Sequence, residues 1–144
     1  MDTKVVLNAI ADHLENHVKD DEFCMGVWLG EIFCGNAVTL CKTIGCAIGH
    51  SIDLPEVQET GLYLCKGAME PAFDYPNCDE PVYGIQAISC AFNITYEQAE
   101  MLFLPGAYME GCEANRVAKS DVVRRIRAFA KNLLKPEEFT VCKV

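Results

Sequence analysis

The ten residues from Cys41 to His50, Cys-Lys-Thr-Ile-Gly-Cys-Ala-Ile-Gly-His, hold the densest chemistry in the chain. Cys46 and His50 are four positions apart, so on a helix they share a face. A helix start and a nearby imidazole both lower a thiol pKa, which is what a nucleophilic cysteine needs. Thr43 predicts the N-cap of that helix, which would run to about Ser51. Free backbone N–H groups just after Thr43 would then suit an anion. Gly45 and Gly49 fall one turn apart on the neighbouring stripe, where a second backbone can approach closely. The competing reading buries Cys46 under that approach and bonds His50 to a backbone carbonyl. Structural cysteines outnumber reactive ones and no orienting acid follows at fixed spacing, so the motif carries no catalytic assignment.

Other constellations are weaker. His13 and His17 are spaced like two metal ligands on a helix, but Leu14 stands where a zinc protease needs its glutamate, and no third ligand can be named. Cys34, Cys41, Cys46 and His50 match no zinc-knuckle spacing, and no pair among the nine cysteines is C-x-x-C. Neither a metal nor a cofactor is expected. Arg116, Lys119, Arg124, Arg125, Arg127 and Lys131 form a basic end, and arginines favour bidentate phosphate contacts. Arg125 lies between the apolar Val122 and Ile126, which points it into a cleft, an interface or an ion pair with Glu97 or Glu100. Phe23, Trp28, Tyr63, Phe73, Tyr75 and Tyr83 offer flat surfaces on which a base could stack, although Trp28 is core by default.

These residues need elements to position them. Residues 3–18 predict an amphipathic helix capped by Asp2 or Thr3, with Val6, Ile10, Leu14 and His17 or Val18 on its buried stripe. An acidic turn, Asp20-Asp21-Glu22, ends it. Residues 23–30 are too apolar for a free loop and predict an extended or irregular segment across the core. Gly35-Asn36 marks a turn. Four of the six prolines fall between residues 53 and 82, and Pro55 suits the start of a short helical turn after Asp53 or Leu54. Residues 65–82 read as a surface loop, and Tyr63-Leu64 as the one candidate strand. Tyr83–Phe92 predicts a buried helix. The capping box Thr95-x-x-Gln98 starts another, to about Leu104, before Pro105-Gly106. Ser120 predicts the cap of a final helix over 121–134, with Val122, Val123, Ile126, Phe129, Ala130, Leu133 and Leu134 as its apolar stripe. The expected fold is mainly α: a single domain, 1–144, of about five short helices with an irregular, proline-rich middle.

A set of spacings resembles a known pattern. Cys41-x-Thr43-x-x-Cys46-x-x-Gly49-His50 is similar to a Cys-Gly-Thr-x-x-Cys-x-x-Gly-His/Trp motif of small bacteriophage and bacterial proteins. Phe23-x-Met25-x-x-Trp28 precedes it. Leu102-Phe103-x-Pro105-x-x-Tyr108 and Val122-x-x-Arg125-Ile126 follow it. The resemblance spans about residues 20–130, and Lys42 departs from the pattern's glycine. It implies a phage or bacterial origin and brings no activity with it.

Composition bounds the rest. With 144 residues, 51% of them hydrophobic, the chain can bury a sizeable core. It has no apolar run long enough for a membrane span and no signal-peptide pattern at Met1-Asp2-Thr3-Lys4, so a cytoplasmic protein is expected, in the host cell if phage-encoded. Nine cysteines, an odd number, then read as small buried hydrophobes of a reducing compartment. A net charge of −9 disfavours nonspecific nucleic-acid binding. The charge is split: residues 1–115 carry 4 Lys/Arg and 18 Asp/Glu, while residues 116–144 carry 8 and 3. An acidic body with a basic end suits self-assembly into a homo-oligomer, a phosphate-bearing ligand or a solvated helix face.

Three functions are compatible with these features. The first is non-catalytic capture of a small anionic ligand, such as a nucleotide-type signal sequestered in phage counter-defence. Thr43, Gly45, Cys46 and His50 would meet it at the helix start, Arg124 and Arg125 would hold phosphate, and Trp28 or Tyr63 a base. The second is an acidic protein–protein interaction module. The third is an enzyme using Cys46 and His50 or a metal. No P-loop, dinucleotide fingerprint or nucleophile elbow supports the third.

Overall fold

A computed structural model describes residues 2–23, 29–34, 37–65, 70–104, 107–110, 117–132 and 142–143, with backbone alone at 29–34, 37–45, 109–110 and 142–143. Helix α1 (Thr3–His17) begins where Asp2 accepts a hydrogen bond from the Lys4 amide. Its apolar positions Val6, Leu7, Ile10, Ala11 and Leu14 fall on one face and are buried. Val18 continues the stripe, whereas His17 is exposed. A 3₁₀ turn at Asp20–Glu22 follows.

Strands β1 (Leu29–Cys34) and β2 (Ala37–Gly45) form an antiparallel hairpin. The register shifts between Glu31 and Phe33, which marks a bulge. This hairpin corrects the expectation of a helix beginning at Thr43. Thr43 pairs with Glu31 in the sheet, and α2 covers only Ala47–Ser51 with Cys46 as its N-cap residue. The β-branched Val38, Thr39, Thr43 and Ile44 favour a strand, and pairing with β1 outweighs the capping potential of one threonine. Helix α3 (Pro55–Gln58) starts as expected, with Leu54 at the N-cap and Pro55 in its first turn.

Residues 65–82 are not a plain surface loop. Strands β3 (Tyr63–Cys65), β4 (Glu70–Phe73) and β5 (Val82–Tyr83) make an antiparallel sheet with β4 at its centre. Pro71 and Ala72 are buried, and among the described residues of this span 74–80 form an exposed turn. Leu64, Phe73 and Val82 pack against the main core from this sheet's inner face.

Helix α4 (Gly84–Phe92) ends on Asn93, whose left-handed φ of 56° lets the chain reverse. The Thr95–Gln98 capping box then opens α5 (Tyr96–Phe103). Phe92 and Phe103 meet edge to face across this helical hairpin. Helix α6 (Lys119–Asn132) starts two residues before the expected position, so Ser120 lies inside it, and Val122, Val123, Ile126, Phe129 and Ala130 face inward. Short strands β6 (Met109–Glu110) and β7 (Cys142–Lys143) pair in parallel.

The architecture is mainly α. Helix α1 packs against α6, α2 and α3, while α4 packs against α5 and β4. Side-chain ties cross this core. Thr3 donates to the Phe92 carbonyl, and the Lys119 ammonium to the Val18 carbonyl. No helix among the described residues is long and apolar enough to cross a membrane.

Candidate functional site

The Cys46–His50 motif is built as a joint between elements. Cys46 is 1% exposed and sits among Ala47, Ile48 and the rest of the core. The His50 amide closes the first turn on the Cys46 carbonyl. The His50 Nε2 lies 2.6 Å from the Glu22 carbonyl oxygen and so carries the proton of that hydrogen bond. This bond ties α2 to the 3₁₀ turn after α1. With five residues, α2 is too short to develop the dipole that the anion-site expectation required. Ser51 follows, fully buried, with no hydrogen-bond partner for its Oγ among the described residues. Thr43 and Gly45 lie in β2, with Gly45 directly before the Cys46 N-cap of α2. Trp28, Gly35-Asn36 and Arg116 lie outside the described residues.

Four residues of the basic end, Lys119, Arg124, Arg125 and Arg127, are engaged within the chain, while Lys131 is exposed. The Arg125 guanidinium donates from one nitrogen to the Met101 and Ala107 carbonyls, at 2.9 and 2.7 Å. It also lies 3.9 Å over the ring of Tyr108. Tyr108 in turn donates to the Leu102 carbonyl at 2.6 Å, and its burial pushes the phenol pKa up. Arg125 therefore satisfies the carbonyl-rich C-terminal end of α5 rather than pairing with Glu97 or Glu100. Arg127 bridges Asp12 and Glu15 on α1 at 2.8 and 2.9 Å, and these partners raise its pKa. Arg124 pairs with Asp121 one turn earlier. Lys119 lies 3.5 Å from Asp20.

The chain's three histidines converge. The rings of His13 and His17 are 5.5 Å apart. Burial and the neighbouring His17 lower the His13 pKa, with a further contribution from the charge of His50, while a hydrogen bond to the His50 backbone opposes them. A groove of about 570 Å³ runs along this face of α1, lined by Asp12, His13, Asn16, His17, Leu54 and Glu56 among others. Among the described residues, no three His, Cys, Asp or Glu side chains are grouped to hold a metal ion.

The third feature was not singled out as a unit by the spacing of its residues. On the outer face of the β3–β4–β5 sheet, Tyr63 pairs with Ala72, and Ala72 with Tyr83. Both tyrosines are exposed while the alanine between them is buried. The Tyr63 hydroxyl donates to Asp74 at 2.8 Å, and this bond pushes its pKa up to about 12. Strand alternation in β4 would have shown it, had β4 been recognised as a strand.

No protein-family model, curated protein or solved structure matches this chain.

Proposed function

We propose that this protein is a non-catalytic interaction module whose acidic surface docks on a basic partner protein. One observation carries this reading: Lys119, Arg124, Arg125 and Arg127 of α6 all have partners within the chain. The charge left to the solvent is then predominantly acidic. Asp53, Glu59, Asp74, Asp79, Glu80 and Glu97 are exposed, and residues 52–104 contain nine acids and a single base, Lys66. Such a surface steers a cationic partner and repels anions.

One nitrogen of Arg125 is committed to two backbone carbonyls and the guanidinium face to the Tyr108 ring, so a phosphate would meet only the remaining N–H groups of a part-buried side chain. Cys46 is buried and His50 is committed to the Glu22 carbonyl, so neither is presented to a substrate.

Native mass spectrometry, with cross-linking of the purified complex, tests the proposal. The expected result is a protein partner with a basic contact surface, released by salt. An intact nucleotide or other small anion at fixed stoichiometry, with no protein partner, would overturn it in favour of ligand capture.

A further inference from the structure

The last two turns of α1 carry the parts of a metal-chelating pair. His13 and His17 are four positions apart, so both project from one face of the helix, and their ring centroids are 5.5 Å apart. An imidazole bound to zinc through a nitrogen at about 2.0–2.1 Å has its centroid about 3.2 Å from the ion. Two such rings on one tetrahedral ion have centroids about 5 Å apart. The observed separation is within about half an ångström of that, a change that small side-chain rotations supply.

The surroundings prepare the pair. One ring nitrogen of His13 donates to the His50 backbone. In the neutral imidazole the other nitrogen then carries the lone pair. Histidines that hold metals are oriented in this way, by an acceptor on the far nitrogen. Burial and the neighbouring His17 lower the His13 pKa, which keeps the ring in the neutral form that a metal binds. The acceptor is itself anchored, because the His50 ring is bonded to the Glu22 carbonyl and the His50 amide to the Cys46 carbonyl. His17 is exposed and has room to adjust. Both histidines line the groove of about 570 Å³, together with Glu56 and with Asp12, the partner of Arg127. The described lining holds no lysine or arginine, so the groove favours a cation.

We propose that His13 and His17 chelate a divalent transition-metal cation of the zinc type, one imidazole nitrogen each, beside this groove. Among the described residues no third His, Cys, Asp or Glu joins them. The remaining coordination positions therefore go to water, and the ion exchanges, unlike the ion of a closed four-ligand structural site. Imidazole selects zinc and its neighbours, whereas magnesium and calcium prefer oxygen ligands. The inference is independent of the acidic-module reading.

The probe is zinc chloride, titrated into the full chain with a phosphine reductant present and followed by NMR of the imidazole C–H groups. The chain has three histidines, so His50 serves as the internal reference. The expected result is that the His13 and His17 signals move together to one saturated state, while those of His50, whose Nε2 is committed to Glu22, move less. Magnesium chloride should leave all three in place. His17 is exposed, so His17→Asn should keep the fold and weaken zinc binding at His13 at least about tenfold. Unmoved His13 and His17 signals in a large excess of zinc would overturn the proposal. So would a response of His17 alone, or equal affinity in His17→Asn, which would assign the ion to other donors such as the exposed Cys78. None of these outcomes touches the acidic-module reading, which an isolated complex with a small anion overturns separately.

Discussion

Replacing Arg125 with methionine should destabilise the fold by about 3 kcal/mol. The guanidinium donates to the Met101 and Ala107 carbonyls and lies over the Tyr108 ring. Each hydrogen bond from a charged donor contributes about 1.5 kcal/mol at the low end of its range, which suits a half-buried site. The ring contact adds about 1 kcal/mol. Methionine recovers part of the loss through its apolar atoms but leaves the two carbonyls without their donor. Equilibrium urea unfolding followed by circular dichroism measures the effect. With a slope of about 1.5 kcal/mol/M for a chain of this size, the midpoint should fall by about 2 M at unchanged slope. Tyr108→Phe should cost about 1–2 kcal/mol alone, because the Leu102 carbonyl loses its buried donor. The double variant should lose less than the two single variants together, since Arg125 and Tyr108 are in contact. A midpoint shift below about 0.3 M for Arg125→Met would refute the assignment of Arg125 to the fold.

Ser51→Ala should stabilise the protein by about 1 kcal/mol, because it removes a buried hydroxyl that has no partner among the described residues; a loss of stability in urea unfolding would contradict this. Arg127→Gln should change stability by at most about 1 kcal/mol, less in high salt, because the arginine and its partners Asp12 and Glu15 are 38, 62 and 56% exposed. A salt-independent loss above that range would show a buried role for the pair. Stability should fall as pH drops below 6.5, the ordinary histidine value, because His13 has a lowered pKa in the folded state and the unfolded chain takes up the proton first. The loss continues down to the folded-state pKa and then stops for this group. It is fully absent above the unfolded value. Urea midpoints between neutral and mildly acidic pH should fall less in His13→Gln than in the parent chain, and equal slopes would refute the role of His13.

Local signals in the sequence were sufficient where one short-range interaction decides an element. Asp2 caps α1, Pro55 opens α3, and Thr95 with Gln98 opens α5, because each of these devices acts within three residues of itself. The amphipathic stripes of α1 and α6 were equally legible, since their period is written in the side chains. Thr43 shows the limit. Its capping potential is real, but it lies in a β-branched run whose strand pairing is made with residues upstream. Strand β4 was hidden by Pro71 and by its length of four residues, and it exists because β3 and β5 pair on either side of it.

The charge split was visible in the sequence, but its consequence was not. Composition determined that the chain is acidic with a basic end. Only the tertiary structure decided that Arg127 reaches back to Asp12 and Glu15, that Lys119 reaches Val18, and that Arg125 closes the end of α5. Pairing partners more than a hundred residues apart, as Arg127 with Glu15 or Lys119 with Val18, depends on how helices dock, and no local spacing encodes that. The same holds for Tyr63, Ala72 and Tyr83, which are scattered along the chain and become neighbours when three short strands align.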